Sequence, residues 1–386
     1  MSLEIDSQRF LIDGVHSSAQ FFELYKHRLD QIAPFIIPHL DPPFCKHINE
    51  LIPGKECSIV GVLYKELAKR KDVLKDYMEI GTDSQTEDLS VSEDDQIYIE
   101  DTTGRLKLID IDPQQFPTGV VVGLHGQSET SKFHVDFVYT PVLPPANPLP
   151  ALNSNDKILF VSDLACDNKK HFNNAKKLAL DAANHSLLVL LGNNFEAPAK
   201  PDQDEVHSFR VKMSLQSNMP IQALKSFLKF ANSRTIIMPG ANDPTSIRLP
   251  QLPYHRCLIN QESLELVTNP ASFNYQGLNF LCGSGESPVD ISKTTSLTFH
   301  EAQESILKWA HYAPTAPDHL PAVPLEKKDI LVLEEMPNVF ICGLADQFSK
   351  TKIGETFVVS VPSFNKTLSA VSFDMETLEF TLKSYE

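Results

Sequence analysis

Lys157-Ile158-Leu159-Phe160-Val161-Ser162-Asp163 is a run of strand-forming, buried-type residues that stops on two small polar ones. The figure recurs twice: Leu187 to Leu191 runs into Gly192-Asn193-Asn194, and Arg234 to Met238 runs into Pro239-Gly240. Between the first two strands, Phe172, Ala175, Ala179 and Ala182 share one helical face. Pro220 stands at a helix N1 position, and Leu224, Leu228 and Ala231 carry that helix towards the third strand. Repeated strand–helix units predict a mostly parallel sheet, with any site at the carboxyl ends of the strands. After residue 262 strands prevail: Leu264 to Val267, Leu278 to Cys282, Val339 to Cys342, Thr356 to Val361 and Leu368 to Phe373. One helix, with Ala302, Ile306 and Trp309 on its stripe, interrupts them. Residues 151–386 therefore read as an α/β domain with a large β component, a sandwich of two mixed sheets flanked by helices.

Upstream, residues 55–143 read as all-β. Cys57 to Tyr64, Gln96 to Asp101, Arg105 to Ile109, Gly119 to Leu124 and Phe133 to Tyr139 are five strand-like runs. Five strands with a long insertion after the first fit an OB-type barrel, and a small sandwich would read much the same. The insertion ends in an acidic stretch, Asp83, Glu87, Asp88, Glu93, Asp94 and Asp95, expected to be a solvated loop. Pro141, Pro144, Pro145, Pro148 and Pro150 mark a stiff border between the two parts. Residues 1–54 read as a helical segment. Ser17-Ser18-Ala19-Gln20 fits a capping box, and Phe22, Tyr25, Leu29 and Ile32 recur at helical spacing until Pro34.

With 34 Lys and Arg against 50 Asp and Glu, the net charge is -16. Such a chain cannot hold nucleic acid through its overall charge, because phosphate binding works by cation-driven counterion release. Net acidity suits docking to a basic partner. Cys45, Cys57, Cys166, Cys257, Cys282 and Cys342 are scattered with no Cys-x-x-Cys pair, which excludes the usual zinc-finger and iron–sulfur spacings within this chain. The expectation is reduced thiols in an intracellular protein. No run is apolar and long enough for a membrane helix, and the polar start does not read as a signal peptide.

Polar residues at successive strand ends invite comparison with two-metal phosphoesterases, whose two dications, about 3.5–4 Å apart, need hard oxygen and imidazole ligands. The spacing resembles the calcineurin-like phosphoesterases, whose motifs run Asp-x-His, Gly-Asp-x-x-Asp, Gly-Asn-His-Asp/Glu and Gly-His-x-His. Carried over position by position, the first motif keeps Asp163 but has Ala165 in place of its His. In the second, Asn193 replaces the bridging Asp and Glu196 takes the last position. The third has Ala241 for the Asn ligand and Asn242 for the catalytic His, followed by Asp243; the fourth reads Gly343-Leu344-Ala345-Asp346 and has neither His. The resemblance thus implies vestigial positions and no working metal site. The plainer role for Asp163, Asn193 and Asp243 is to close strand ends by hydrogen-bonding to the backbone.

A phosphoesterase domain of this kind behind an OB-like barrel resembles the small (B) subunits of replicative DNA polymerases, those of polymerase delta above all. Met238-Pro239-Gly240-Ala241-Asn242-Asp243-Pro244-Thr245, Leu266-Val267-Thr268-Asn269-Pro270, Gly283-Ser284-Gly285-Glu286 and His311-Tyr312-Ala313-Pro314-Thr315-Ala316-Pro317-Asp318 carry the likeness. It extends to the barrel, at Ile99-Glu100-Asp101 and Arg105-Leu106-Lys107-Leu108. The resemblance implies a nuclear, non-catalytic scaffold for DNA replication and repair synthesis. It would grip the cysteine-rich C-terminal domain of the catalytic subunit and a third subunit that reaches the sliding clamp. It implies no cofactor here, with an iron–sulfur cluster in the catalytic partner.

Two other functions compete. One is an active metal-dependent phosphodiesterase or nuclease, which the missing ligands oppose. The other is single-strand binding by the barrel, through Lys65, Lys69, Arg70, Lys71 and Lys75 with Tyr64 and Tyr77 interleaved. The same cluster also suits a protein partner.

Overall fold

The computed structural model describes residues 3–6, 9–12, 20–68, 91–150, 155–197 and 219–386. Two compact units form, both discontinuous in sequence. The first comprises Met1–Asp13, Pro145–Glu286 and Pro337–Glu386, and the second Gly14–Pro144 and Ser287–Met336. This division differs from the three-part reading of 1–54, 55–143 and 151–386. The start of the chain falls in the first unit, and fifty residues from the heart of the third part fall in the second.

In chain order the elements are β1 (Leu3–Ile5), α1 (Phe21–Ile32), β2 (Glu56–Glu66), β3 (Gln96–Glu100), β4 (Arg105–Ile109), β5 (Val121–Ser128) and β6 (Lys132–Tyr139). Next come β7 (Lys157–Val161), α2 (Phe172–Ala182), β8 (Leu187–Leu191), α3 (Met219–Ala231), β9 (Thr235–Met238), β10 (Leu264–Leu266), β11 (Ala271–Tyr275) and β12 (Leu278–Gly283). The remainder holds α4 (Glu286–Thr294), α5 (Phe299–Lys308), β13 (Val339–Ala345), β14 (Ser349–Ile353), β15 (Thr356–Pro362), α6 (Phe364–Thr367), β16 (Ser369–Asp374) and β17 (Glu379–Ser384).

In the first unit, two six-stranded mixed sheets run β1-β11-β12-β13-β15-β14 and β10-β9-β8-β7-β16-β17. β7, β8, β9 and β10 are parallel, as the strand–helix repeats predict, and β16 closes antiparallel onto β7. The period of two along β7 sends Ile158 and Phe160 into the core between the sheets. Leu159 and Val161 point the other way, against Leu178, Ala179 and Ala182 of α2 and Leu224 and Leu228 of α3. This is the expected sandwich of two mixed sheets flanked by helices. β1 is not legible in the sequence: its three residues join the sheet only by pairing with β11, more than 260 positions away.

In the second unit, β2-β3-β4-β6-β5 close into a barrel in which β4 and β6 are parallel and every other pair antiparallel. That order is the OB topology rather than a sandwich. Two expectations need correction. Helix α1 buries Leu24, Arg28 and Ile32 and packs half-buried Tyr25 and Leu29 against the same core, so its inner face is rotated from the predicted stripe only enough to leave Phe22 63% exposed. The acidic stretch does not end in solvent: Asp95 is buried, 3.3 Å from Lys65 Nζ. Residues 83–88 and the proposed cap at 17–19 lie outside the described residues.

Arg28 explains the rotation of α1. A fully buried guanidinium is tolerable only when its donors are used. Arg28 Nε donates to Asp329 Oδ2 (2.9 Å), Nη1 to the Gly119 and Pro314 carbonyls (3.0 and 2.7 Å), and Nη2 to the Ala316 carbonyl (2.7 Å). A Cβ at Gly119, where φ is +91°, would lie 1.9 Å from the Pro314 oxygen, so glycine is required there. On the far side of Asp329, His311 Nε2 donates to Oδ2 (2.8 Å) while its Nδ1 accepts from the Ala313 N–H (3.1 Å). An accepting Nδ1 carries no proton, so the ring is neutral. Burial first, then the Arg28 charge, lower the His311 pKa to about 4. Burial alone would raise the Asp329 carboxyl, but His311 and Arg28 outweigh it and hold it well below the usual range.

Removing the guanidinium strands a buried carboxylate, so Arg28→Met should cost about 3–5 kcal/mol, measured by urea denaturation at pH 7. His311 binds its proton near pH 6.5 when unfolded but near 4 when folded, so stability falls as pH drops through that window. His311→Gln should flatten that part of the profile.

Candidate functional site

The sequence motifs meet at the carboxyl ends of β7, β8, β9, β12 and β13, all within the first unit. The loops there approach one another closely enough to dictate glycine. A Cβ on Gly240 would lie 2.5 Å from the Asn193 nitrogen, and one on Gly285 would lie 2.1 Å from the Gly343 oxygen. A Cβ on Gly343 would meet Ser162 Oγ at 2.3 Å. Asp163, Ala165, Asn193 and Leu344 all have positive φ, at 51°, 41°, 53° and 60°. For Ala165 and Leu344 the left-handed region costs roughly 1–2 kcal/mol each, with no side-chain oxygen to offset it. The tight turns are present although those two side chains can ligate nothing.

Asp163, Asn193, Glu286 and Asp243 are each tied to protein partners. Asp163 Oδ2 accepts from Ser363 Oγ (2.6 Å); burial raises its pKa against the opposing influence of Ser363 and Lys366. Asn193 accepts from the Asn242 N–H (2.9 Å) and donates to Glu286 Oε1 (3.4 Å). Glu286 Oε1 also accepts the Ala241 N–H (3.0 Å), while Oε2 takes the Ser284 hydroxyl. Its carboxyl pKa is raised by burial. Ser284 is bonded in turn to Asn269, which holds Gln251 Oε1 at 2.6 Å.

Asp243 is the most enclosed carboxylate of the set. It accepts from the Gly240, Asn194 and Phe195 N–H groups (2.7, 2.8 and 3.3 Å) and from Asn194 Nδ2 (3.2 Å). Burial pushes its pKa up to about 7 in spite of those donors. Asp346 and Glu196 lie at the rim. Asp346 is exposed and pairs with Lys366 Nζ (3.1 Å), and the exposed Glu196 donates its backbone N–H to Asp167 (2.7 Å).

Asn193 and Asp243 thus bind backbone, the closing role expected from the sequence, whereas Asp163 is held by a side chain 200 positions away. Sequence reasoning missed Ser162, Ser363 and Lys366 and gave no role to Glu286. The Gly283-Ser284-Gly285-Glu286 run is visible as a motif, but nothing around Ser363 signals its pairing. Among the described residues, no group of three or more His, Cys, Asp or Glu side chains is arranged to hold a metal ion.

The barrel cluster needs a correction. Lys65 is 5% exposed, paired with Asp95 and bonded to the Thr294 carbonyl at 2.6 Å, so its ammonium is not offered to a ligand. Lys69, Arg70, Lys71 and Lys75 lie outside the described residues.

Two family models match, and both describe accessory components of DNA polymerases. One is the B subunit of DNA polymerase alpha/epsilon, over residues 158–350, and the other is the OB-fold domain of the DNA polymerase delta subunit, over residues 20–138. The DNA polymerase delta small subunit of Arabidopsis thaliana is 30% identical over 96% of this chain and 92% of its own. That of Saccharomyces cerevisiae is 28% identical over 94% of this chain and 88% of its own. An archaeal phosphodiesterase structure aligns with 59% of this chain and 98% of its own, at 15% identity and a TM-score of 0.32. The chain belongs to the family of DNA polymerase delta small subunits. It is an accessory subunit of that replicative polymerase.

Gly343→Ala should force the β12 and β13 loops away from Ser162 and cost about 1–3 kcal/mol of stability. Gly104→Ala, whose new Cβ would meet nothing closer than 3.5 Å, should change stability by less than about 0.5 kcal/mol. Chemical denaturation of the two variants checks both values.

Proposed function

We propose that this subunit is a scaffold without hydrolytic activity of its own. It bridges the cysteine-rich C-terminal domain of the catalytic subunit and a third subunit that reaches the sliding clamp, and it works in the nucleus. The observation that carries this reading is the use made of the strand-end oxygens. Two dications held about 3.5–4 Å apart need a bridging carboxylate and several imidazole or carboxylate ligands, with a polarised water between them. The positions that would supply them do not fit such a pair. Ala165, Ala241 and Leu344 offer no side-chain donor atom. Asn193 spends its amide on Asn242 and Glu286, and Asp163 gives an oxygen to Ser363. Asp163, Asn193 and Asp243 serve to close the strand ends, Asp346 pairs with Lys366 at the rim, and Glu196 and Asn242 take part through their backbone N–H groups.

A chain of net charge -16 suits a basic partner domain by complementarity, which favours fast and selective docking. The iron–sulfur cluster belongs to the catalytic partner, and contact with DNA runs through the partners. A pull-down of the purified chain with the polymerase delta catalytic C-terminal domain, combined with a manganese phosphodiesterase assay on the same sample, tests the proposal. Stable binding without hydrolysis is expected. Hydrolysis that survives repurification and disappears in Asp163→Ala would overturn it.

A further inference from the structure

Two neighbouring helices of the first unit carry a cluster of lysines. Lys169 and Lys170 precede α2, Lys176 and Lys177 lie on it, and Lys225 and Lys229 lie on α3. Asp181 is the one acidic residue in the two helix sequences, and it is occupied by Lys383 (2.9 Å) and the Tyr385 hydroxyl (2.8 Å). The inner faces of both helices are spent on the sheet: Leu178, Ala179 and Ala182 from α2, and Leu224, Phe227, Leu228 and Ala231 from α3.

The outer face carries large apolar groups as well as charge. Phe172 is 60% exposed, Leu180 54% and Phe230 46%. Phe172, Lys176 and Leu180 are spaced by four, so they lie within an arc of about 80° on α2. Lys176 Nζ stands 5.6 Å over the Phe230 ring, which brings α3 into the same patch. Isolated exposed apolar residues need no explanation, but three grouped with lysines on one helix pair do.

We propose that the outer face of α2 and α3 docks an acidic amphipathic helix of a partner polypeptide. The stripe of Phe172 and Leu180, with Phe230 beside it, offers anchor points at helical spacing, and the lysines rim it with the charge an acidic helix lacks. A third helix laid there would cover the apolar side chains and pair its carboxylates with Lys176 and Lys229. The same surface is less suited to a nucleic-acid strand. The Phe230 ring already has an ammonium over it and is not free to stack on a base. This goes beyond the scaffold reading and does not depend on it.

Fluorescence anisotropy of the full chain tests the proposal with three labelled probes. The first is an acidic peptide of about 18 residues, long enough for five helical turns, with Leu and Phe at i, i+3, i+4 and i+7 and Glu between. The second has the same composition in an order that breaks the period, and the third is an oligothymidylate. The amphipathic peptide should bind best. Its affinity should fall at least about tenfold in Lys176→Glu/Lys229→Glu and in Phe172→Ser/Leu180→Ser, two surface variants whose melting curves should match the parent. The proposal is overturned if the first peptide does not bind, if the permuted peptide binds equally, if neither variant weakens binding, or if the oligothymidylate binds more tightly with the same sensitivities.

Discussion

Close approach of the loop backbones at the strand ends is the constraint on which the first unit depends. Gly240, Gly285 and Gly343 leave no room for a side chain, and the turns around them hold Asp163, Ala165, Asn193 and Leu344 at positive φ. Loops drawn together this tightly bury backbone N–H groups and leave little space for water. Those donors need acceptors, and Asp243, Glu286 and Asn193 provide them. Buried polar groups are costly unless satisfied, so a hydrogen-bonded cluster stabilises this geometry in a way that an apolar substitution would not.

The second unit rests on a comparable device. Arg28 reaches from α1 to the barrel edge at Gly119 and to the Pro314–Ala316 and Asp329 segment, joining three parts of the chain that are far apart in sequence. Apolar packing by Ile32, Ile36, Val60, Val62, Val121 and Val332 supplies area but little direction. The guanidinium and the neutral His311 supply direction, since their donors fit one arrangement of carbonyls and carboxylate. For an accessory subunit the value of both nodes is geometric: each fixes the arrangement of its own unit.

Local pattern and local chemistry make much of this legible in the sequence. The parallel strands β7, β8 and β9 are visible because they are continuous apolar runs ending in polar turns. The barrel strands are visible because alternation and β-branched residues mark them, although only pairing separates an OB barrel from a sandwich. What stays hidden depends on distant partners. β1 is three ordinary residues until it meets β11. Arg28 reads as a solvent-facing helix position until four acceptors surround it, and for that reason periodicity alone finds Tyr25, Leu29 and Ile32 but leaves Arg28 off the inner face of α1. Lys65 looks like part of a basic surface because Asp95, thirty positions later, reads as the end of a solvated loop. The motif positions at the strand ends can be found by spacing, but their occupation by Ser363, Ser284 and neighbouring N–H groups cannot.

A strand-end cluster closed by hydrogen bonds should have little affinity for a pair of dications. Manganese binding to the chelator-stripped chain, followed by electron paramagnetic resonance of the free ion, tests it most directly. The expected result is only weak binding that Asp163→Ala leaves unchanged. Saturable uptake of two ions per chain, abolished by Asp163→Ala, would contradict it.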